Sequence, residues 1–168
     1  HGIGFGIAEA FAKKGAKIVI NSHEKDNGAL NQLKKLTECY FVQSDLSTID
    51  GNKKLIQEAK VKLGKIDTLI NNAGTFQDND FENINKEKFD KTFNLNVRGY
   101  MFTSQEFVKQ ISNDQNNSSI ICIGSSNSLA AEKNSVMYDT SKGAVLMMIK
   151  SMAVSLASKN IRVNGIGP

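Results

Sequence analysis

The sequence predicts an α/β fold, a doubly wound parallel sheet with helices on both faces. Three observations carry the prediction. Short apolar runs alternate with longer stretches of helical period along the whole chain. Closely spaced glycines open the first helical stretch, His1-Gly2-Ile3-Gly4-Phe5-Gly6, where a helix amino terminus favours anions. Apolar runs end in small polar residues or glycine, at the strand ends where open α/β sheets bind ligands.

The elements follow in order. Residues 4–14 read as a helix, with Ile7, Ala8, Phe11 and Ala12 at helical spacing. Residues 17–21 form a strand through Ile18-Val19-Ile20, and 25–36 a lysine-rich helix. A strand at 40–43 precedes a helix at 50–63, with Leu55, Ile56, Ala59 and Leu63 inward. Residues 66–71 form a strand, followed by one long helix from Asn85 to about Gln110 with apolar faces at Phe89, Phe93, Val97, Met101 and Phe107. A polar loop, Asn113 to Ser118, leads to the strand 119–123. A second long helix, 138–158, and a strand at 162–166 complete the pattern. No repeat, low-complexity tract or second domain is visible, so residues 1–168 read as a single domain.

Composition narrows the function. The chain has 168 residues, 40% hydrophobic and 23% charged, as a globular domain requires. The net charge of +4 comes from lysines scattered along helices, which reads as a solvated surface rather than a nucleic-acid patch. No apolar run approaches the ~20 residues of a membrane span, and no signal peptide is visible. Cys39 and Cys122 lie far apart in apolar strands and read as reduced core residues, not as metal ligands or a redox pair. A cytoplasmic location is expected.

The chemistry concentrates in the second half. Tyr138 and Lys142 are four residues apart and share a helix face. A free phenol has a pKa of about 10, and a neighbouring ammonium favours its ionised form. Ser125 follows the run Ile120-Ile121-Cys122-Ile123, which places its hydroxyl at a strand's carboxyl end. It could donate to an oxygen that gains negative charge, or it could simply cap a turn. Asn96, in Phe93-Asn94-Leu95-Asn96-Val97-Arg98-Gly99, interrupts an apolar helical stretch, where asparagine is disfavoured. It marks a kink, an interhelical hydrogen bond or a site. Ahead of these stand Asn21-Ser22-His23, Ser44-Asp45-Leu46-Ser47 and Asp67-Thr68-Leu69-Ile70-Asn71-Asn72-Ala73-Gly74, each at the end of a strand. Asparagine and glycine there allow unusual backbone angles and close ligand approach.

Taken in order, Gly2-Ile3-Gly4, Asp45-Leu46, Asn71-Asn72-Ala73-Gly74, Asn96, Ser125, Tyr138, Lys142 and Ile161-Arg162-Val163-Asn164-Gly165-Ile166-Gly167-Pro168 resemble the short-chain dehydrogenase/reductase family. The resemblance implies a Rossmann-type sheet and reversible carbonyl–alcohol conversion with a nicotinamide cofactor. It implies catalytic roles for Asn96, Ser125, Tyr138 and Lys142, with Tyr138 as proton donor and Asn96 holding a water that links Lys142 to solvent. It implies cofactor contacts by Gly2, Ile3, Gly4, Ser22, His23, Asp45, Leu46, Asn72, Ala73, Gly74, Tyr138, Lys142 and Pro168. Spacing to Tyr138 favours Ser125 over Ser126 and Ser128, and the following Val-Arg-Gly favours Asn96 over Asn94.

No acid stands at Ser22, Lys25 is near, and His1 precedes the glycine pair, which favours NADP(H) over NAD(H). Glu24 opposes this. The resemblance implies a small carbonyl or alcohol substrate; 3-oxoacyl thioesters and sugars or polyols are both open. A nucleotide-binding regulator without catalysis, or an inactive piece, is the alternative. Relatives pair their two long helices, so a homodimer or homotetramer is expected through Phe102, Phe107, Met147, Met148 and Met152. By the same resemblance the chain reads as truncated at both ends. A first strand, between those at 17–21 and 66–71, and a carboxyl-terminal substrate segment are expected beyond it.

Overall fold

In the computed structural model, residues 2–26, 28–77, 79–111 and 117–168 are described. Helix α1 spans Gly2–Ala12 and leads to strand β1, Ile18–Ser22. A short helix α2, Ala29–Leu33, precedes β2, Cys39–Gln43. Helix α3 covers Ile49–Leu63 and β3 covers Thr68–Asn71. Helices α4, Lys86–Phe93, and α5, Tyr100–Gln110, come next, then β4, Ser119–Ile123. Helix α6, Val136–Leu156, and β5, Arg162–Ile166, complete the order.

Every strand pair among the described residues is parallel, as the alternation of strands and helices predicts. The strands form two groups, β1–β2 and β3–β4–β5.

The larger core lies under β3–β4–β5. Leu69, Ile120 and Val163 sit side by side in register, and their faces meet Ile56 of α3, Tyr100 and Phe107 of α5, and Val145 and Met148 of α6. Under β1–β2 the core is smaller. Ala8, Ala12, Leu33 and Cys39 are buried there, with Phe5, Ile18, Ile20 and Leu30 packed around them. Both cysteines are buried free thiols, and burial pushes each pKa up.

Three sequence expectations need correction. The helix expected over 25–36 shrinks to Ala29–Leu33. The Asp26 carboxylate accepts the backbone N–H groups of Gly28 and Leu30, and Gly28 adopts φ 96°, so helical geometry cannot begin earlier. The single helix over 85–110 is two helices joined by a π-helical segment, Asn94–Gly99. Phe107 and Met148, expected on an intersubunit surface, are 0% and 6% exposed and belong to the core. Helical period alone does not tell which apolar face meets the sheet. The polar loop expected at 113–118 lies mostly outside the described residues, as does His1.

Candidate active site

Within each group the strands run the same way, so their carboxyl ends face a common side. Most of the residues marked in the sequence sit there or at the start of α1. Gly2 opens α1 with φ 75°, in the left-handed region that glycine tolerates. Gly4 packs against the turn after β3: a Cβ on Gly4 would stand 2.5 Å from Asn72 Nδ2. The α1 backbone at Gly4 and the Asn72 side chain therefore approach each other with no room for a further side chain. With the helix amino terminus beside them, they fit a pyrophosphate cradle. Ile3 is exposed at the same turn.

At the end of β1, Ser22 is half-buried and its Oγ accepts the Glu24 N–H at 3.1 Å. His23 is exposed, and its Nε2 lies 3.8 Å from the Glu24 carboxylate. At the end of β2, Asp45 Oδ1 accepts the Ser47 N–H at 2.9 Å, fixing the turn before α3. Gly51, which the sequence reading passed over, is essential to that turn. A Cβ there would fall 1.9 Å from the Asp45 carbonyl oxygen. Leu46 is held from two sides: its carbonyl accepts from Asn52 Nδ2 at 3.2 Å, and Gly99 allows the π segment to abut it.

Asn96, Lys142 and Tyr138 lie against the segment after β3. Asn96 is fully buried in the π segment. Its Oδ1 accepts the Thr75 N–H at 2.8 Å, and its Nδ2 donates to the Thr75 carbonyl at 2.9 Å and to Ser141 Oγ at 3.0 Å. The amide thus clamps Thr75, adjoining Gly74, to α6. A Cβ on Gly74 would lie 3.3 Å from Asn96 Oδ1 and 3.9 Å from Lys142 Nζ. π-Helical turns cost helix stability and recur at functional sites; here the turn aims a buried amide at backbone.

Lys142 is 4% exposed. Its Nζ donates to the Ile123 carbonyl at 2.9 Å and lies 5.6 Å from the ring centroids of both Tyr100 and Tyr138. Burial holds its pKa below the ordinary 10.5. The Ile123 carbonyl also accepts the Tyr100 hydroxyl at 3.2 Å, and burial drives the Tyr100 pKa up. Tyr138 is half-buried, with the Phe76 ring edge-on at 5.1 Å.

Ser125 caps the 3₁₀ turn Ser126–Ser128. Its Oγ accepts the Asn127 N–H at 3.2 Å. The capping reading of this serine holds. The end of β5 lies alongside: the Pro168 carbonyl accepts the Ser126 N–H at 3.1 Å.

Sequence reasoning missed Thr75 and Ser141, which anchor Asn96, as well as Tyr100 and Gly51. Ser141 adjoins Lys142, but a serine in a helix carries no signal of its own.

The whole chain, residues 1–168, matches the family model for short chain dehydrogenases. The chain belongs to the short-chain dehydrogenase family. A short-chain dehydrogenase/reductase of Pestalotiopsis microspora is 30% identical over 172 residues, covering 100% of this chain and 64% of that protein. The NADP-dependent (R)-specific alcohol dehydrogenase of Lentilactobacillus kefiri is 32% identical, covering 99% of this chain and 68% of its own length. Among solved short-chain dehydrogenase structures, the 3-oxoacyl-[acyl-carrier protein] reductase of Brucella melitensis in complex with NAD superposes with a TM-score of 0.94 at 31% identity, over 100% of this chain and 69% of that one. The chain thus spans about two-thirds of the length of these family members.

Proposed function

We propose that the protein is a nicotinamide-dependent oxidoreductase that interconverts a carbonyl and a secondary alcohol. The observation that carries this is the convergence of Tyr138, buried Lys142 and the Gly74–Thr75 turn, with the Ser125 loop bonded to the same helix. The cofactor, when bound, supplies or accepts the hydride. Gly2, Ile3 and Gly4 with Asn72, Ala73 and Gly74 would hold it, and Lys142 has donors left for ribose hydroxyls after serving Ile123. In the reducing direction Tyr138 gives its proton to the carbonyl oxygen, and Ser125 donates a hydrogen bond to that oxygen as charge builds. The Lys142 ammonium favours the tyrosinate that remains. Asn96 enters as the clamp on the Gly74–Thr75 turn rather than as a side-chain water ligand, because its amide already serves Thr75 and Ser141.

Cofactor preference is proposed as NADP(H). Ser22 brings no carboxylate to repel a 2′-phosphate, and Lys25 is exposed nearby. Glu24 narrows the margin through its contact with His23. The named cofactors of the two relatives above, NADP in one and NAD in the other, span both options. Assembly into dimers or tetramers is proposed through the outer faces of α5 and α6, where Met101 and Met147 are 43% and 59% exposed. Among the described residues no helix is long and apolar enough to cross a membrane.

The test is reduction of a ketone panel by NADPH and NADH with the full-length protein. Oxidation of NADPH that depends on ketone is expected. Absence of turnover with tight NADPH binding would instead assign a regulatory role.

A further inference from the structure

Ser125 is oriented by a pair of side chains outside the four catalytic candidates. The Asp139 carboxylate follows Tyr138 in the first turn of α6. Its Oδ1 accepts from Asn127 Nδ2 at 2.7 Å, and its Oδ2 accepts the Glu132 N–H at 3.0 Å. A carboxylate only accepts hydrogen bonds, so Asn127 must turn its NH₂ toward Asp139. This leaves Asn127 Oδ1 facing the serine, and Ser125 Oγ donates to it at 3.3 Å. The hydroxyl also accepts the Asn127 N–H at 3.2 Å. One residue downstream, Ser128 Oγ donates to the Lys142 carbonyl at 3.0 Å. The serine loop is thus bound to α6 at both Asp139 and Lys142, the positions that bracket one turn beside Tyr138.

We infer that Asn127 and Asp139 are positioning residues for Ser125. Asp139 sets the orientation of the Asn127 amide, and the amide holds the Ser125 hydroxyl proton on a long, weak bond. The weakness matters, because a carbonyl oxygen gaining charge accepts more strongly than an amide oxygen. The proton then swings from Asn127 to the substrate with the serine already in place. Asp139 also ties the loop of Ser125 to the helix of Tyr138, so one carboxylate fixes the separation of the two groups that meet the substrate oxygen.

This inference rests on the proposed reaction, and two measurements on the full-length protein separate them. The first is a double-mutant cycle. Asn127→Ala is expected to lower kcat about tenfold, as the loss of one orienting hydrogen bond would, with the Kd for NADPH unchanged. In a Ser125→Ala background the same change is expected to cost almost nothing, because its target is gone. An equal cost in both backgrounds, or no cost in either, would overturn the inference. The second is the crystal structure of Asp139→Ala, which needs no activity. Rotation of the Asn127 amide and a changed Ser125 rotamer are expected; an unmoved Ser125 overturns the inference even if the enzyme turns over. Wild-type protein that oxidises no NADPH would remove the proposed reaction and leave the crystallographic comparison to decide the positioning.

Discussion

The two strand groups of this molecule solve different problems. Around β3–β4–β5, ten buried residues form one core, and polar groups are buried with them: Asn71, Asn96, Thr103, Ser104, Ser141 and Lys142. Asn71 Nδ2 donates to Ser104 Oγ at 2.9 Å, and Thr103 bonds Asn52. Around β1–β2, four buried residues among those described form the core, and Ser22, His23 and Asp45 at the strand ends stay partly or fully exposed. Buried polar groups cost stability unless each has a partner, so the first region needs both a large apolar core and a complete network. The second presents backbone and exposed charge, which suits a ligand bound through phosphate and ribose. The lesson is that precision and bulk go together: the side chains that must be placed to within an ångström sit where packing is deepest.

The largest expected effect tests the deep region. Tyr138→Phe removes only a transferable proton, so turnover should fall by roughly 10²–10⁴-fold while NADPH binding persists. Near-normal turnover measured by NADPH oxidation would discard the acid–base assignment.

Next come the cores themselves. Phe107 and Leu33 are both fully buried, one in each core. Phe107→Ala should cost about 3–5 kcal/mol and Leu33→Ala about 2–3 kcal/mol, because the smaller core can collapse around the gap. Urea unfolding of the two variants checks the order, and a greater loss for Leu33→Ala would reverse the comparison.

A smaller effect probes the exposed end. Ser22→Asp should shift the NADPH-to-NADH affinity ratio toward NADH by about tenfold, through repulsion of the 2′-phosphate in a partly solvated site. Added salt should shrink the wild-type preference for NADPH. Titrations showing NADH bound more tightly by the unmodified protein would refute the preference.

The smallest expected effect is on stability, at Lys142. Its folded pKa lies below 10.5 through burial, so the charged form is disfavoured in the folded state. Below the lowered value both states carry the proton and the penalty is full. Between that value and 10.5 the unfolded chain binds more protons, so stability rises with pH; above 10.5 the penalty is gone. Lys142→Met should abolish turnover yet raise Tm near neutral pH, a gain that fades toward alkaline pH. The Ile123 carbonyl would keep its bond from Tyr100. A Tm lowered at neutral pH would show that the ammonium stabilises the fold after all.

Much of the deep region was legible in the sequence. The bounds of β4 and β5 match the reading, and at β4 the cluster Ile120, Ile121 and Ile123 carried it. Asn96 stood out as an asparagine in an apolar helical stretch, and Tyr138 with Lys142 as an i, i+4 pair. The π segment did not show, because it depends on bonds from Asn96 to Thr75, twenty-one residues away in sequence. Asn127 and Asp139 were invisible for a similar reason: a loop asparagine and a first-turn aspartate are ordinary until the fold brings them together. In the shallow region, the α2 boundary failed because Asp26 and Gly28 act through local geometry that a count of lysines does not reveal.

The π segment between α4 and α5 also works as a phase shifter. Widening the turn over Asn94–Gly99 rotates everything after it relative to everything before, by up to about 100° for one residue's worth of winding. Thr103, Ser104 and Phe107 face the strands and α3 only in that rotated phase. Rewinding the segment as plain α-helix with all its residues kept would give smoother bonding, and would turn the wrong side of α5 to the core. The irregular turn therefore keeps two incompatible registers in one continuous rod: the one before it carries the Phe89–Phe93 stack, and the one after it fills the centre of the molecule.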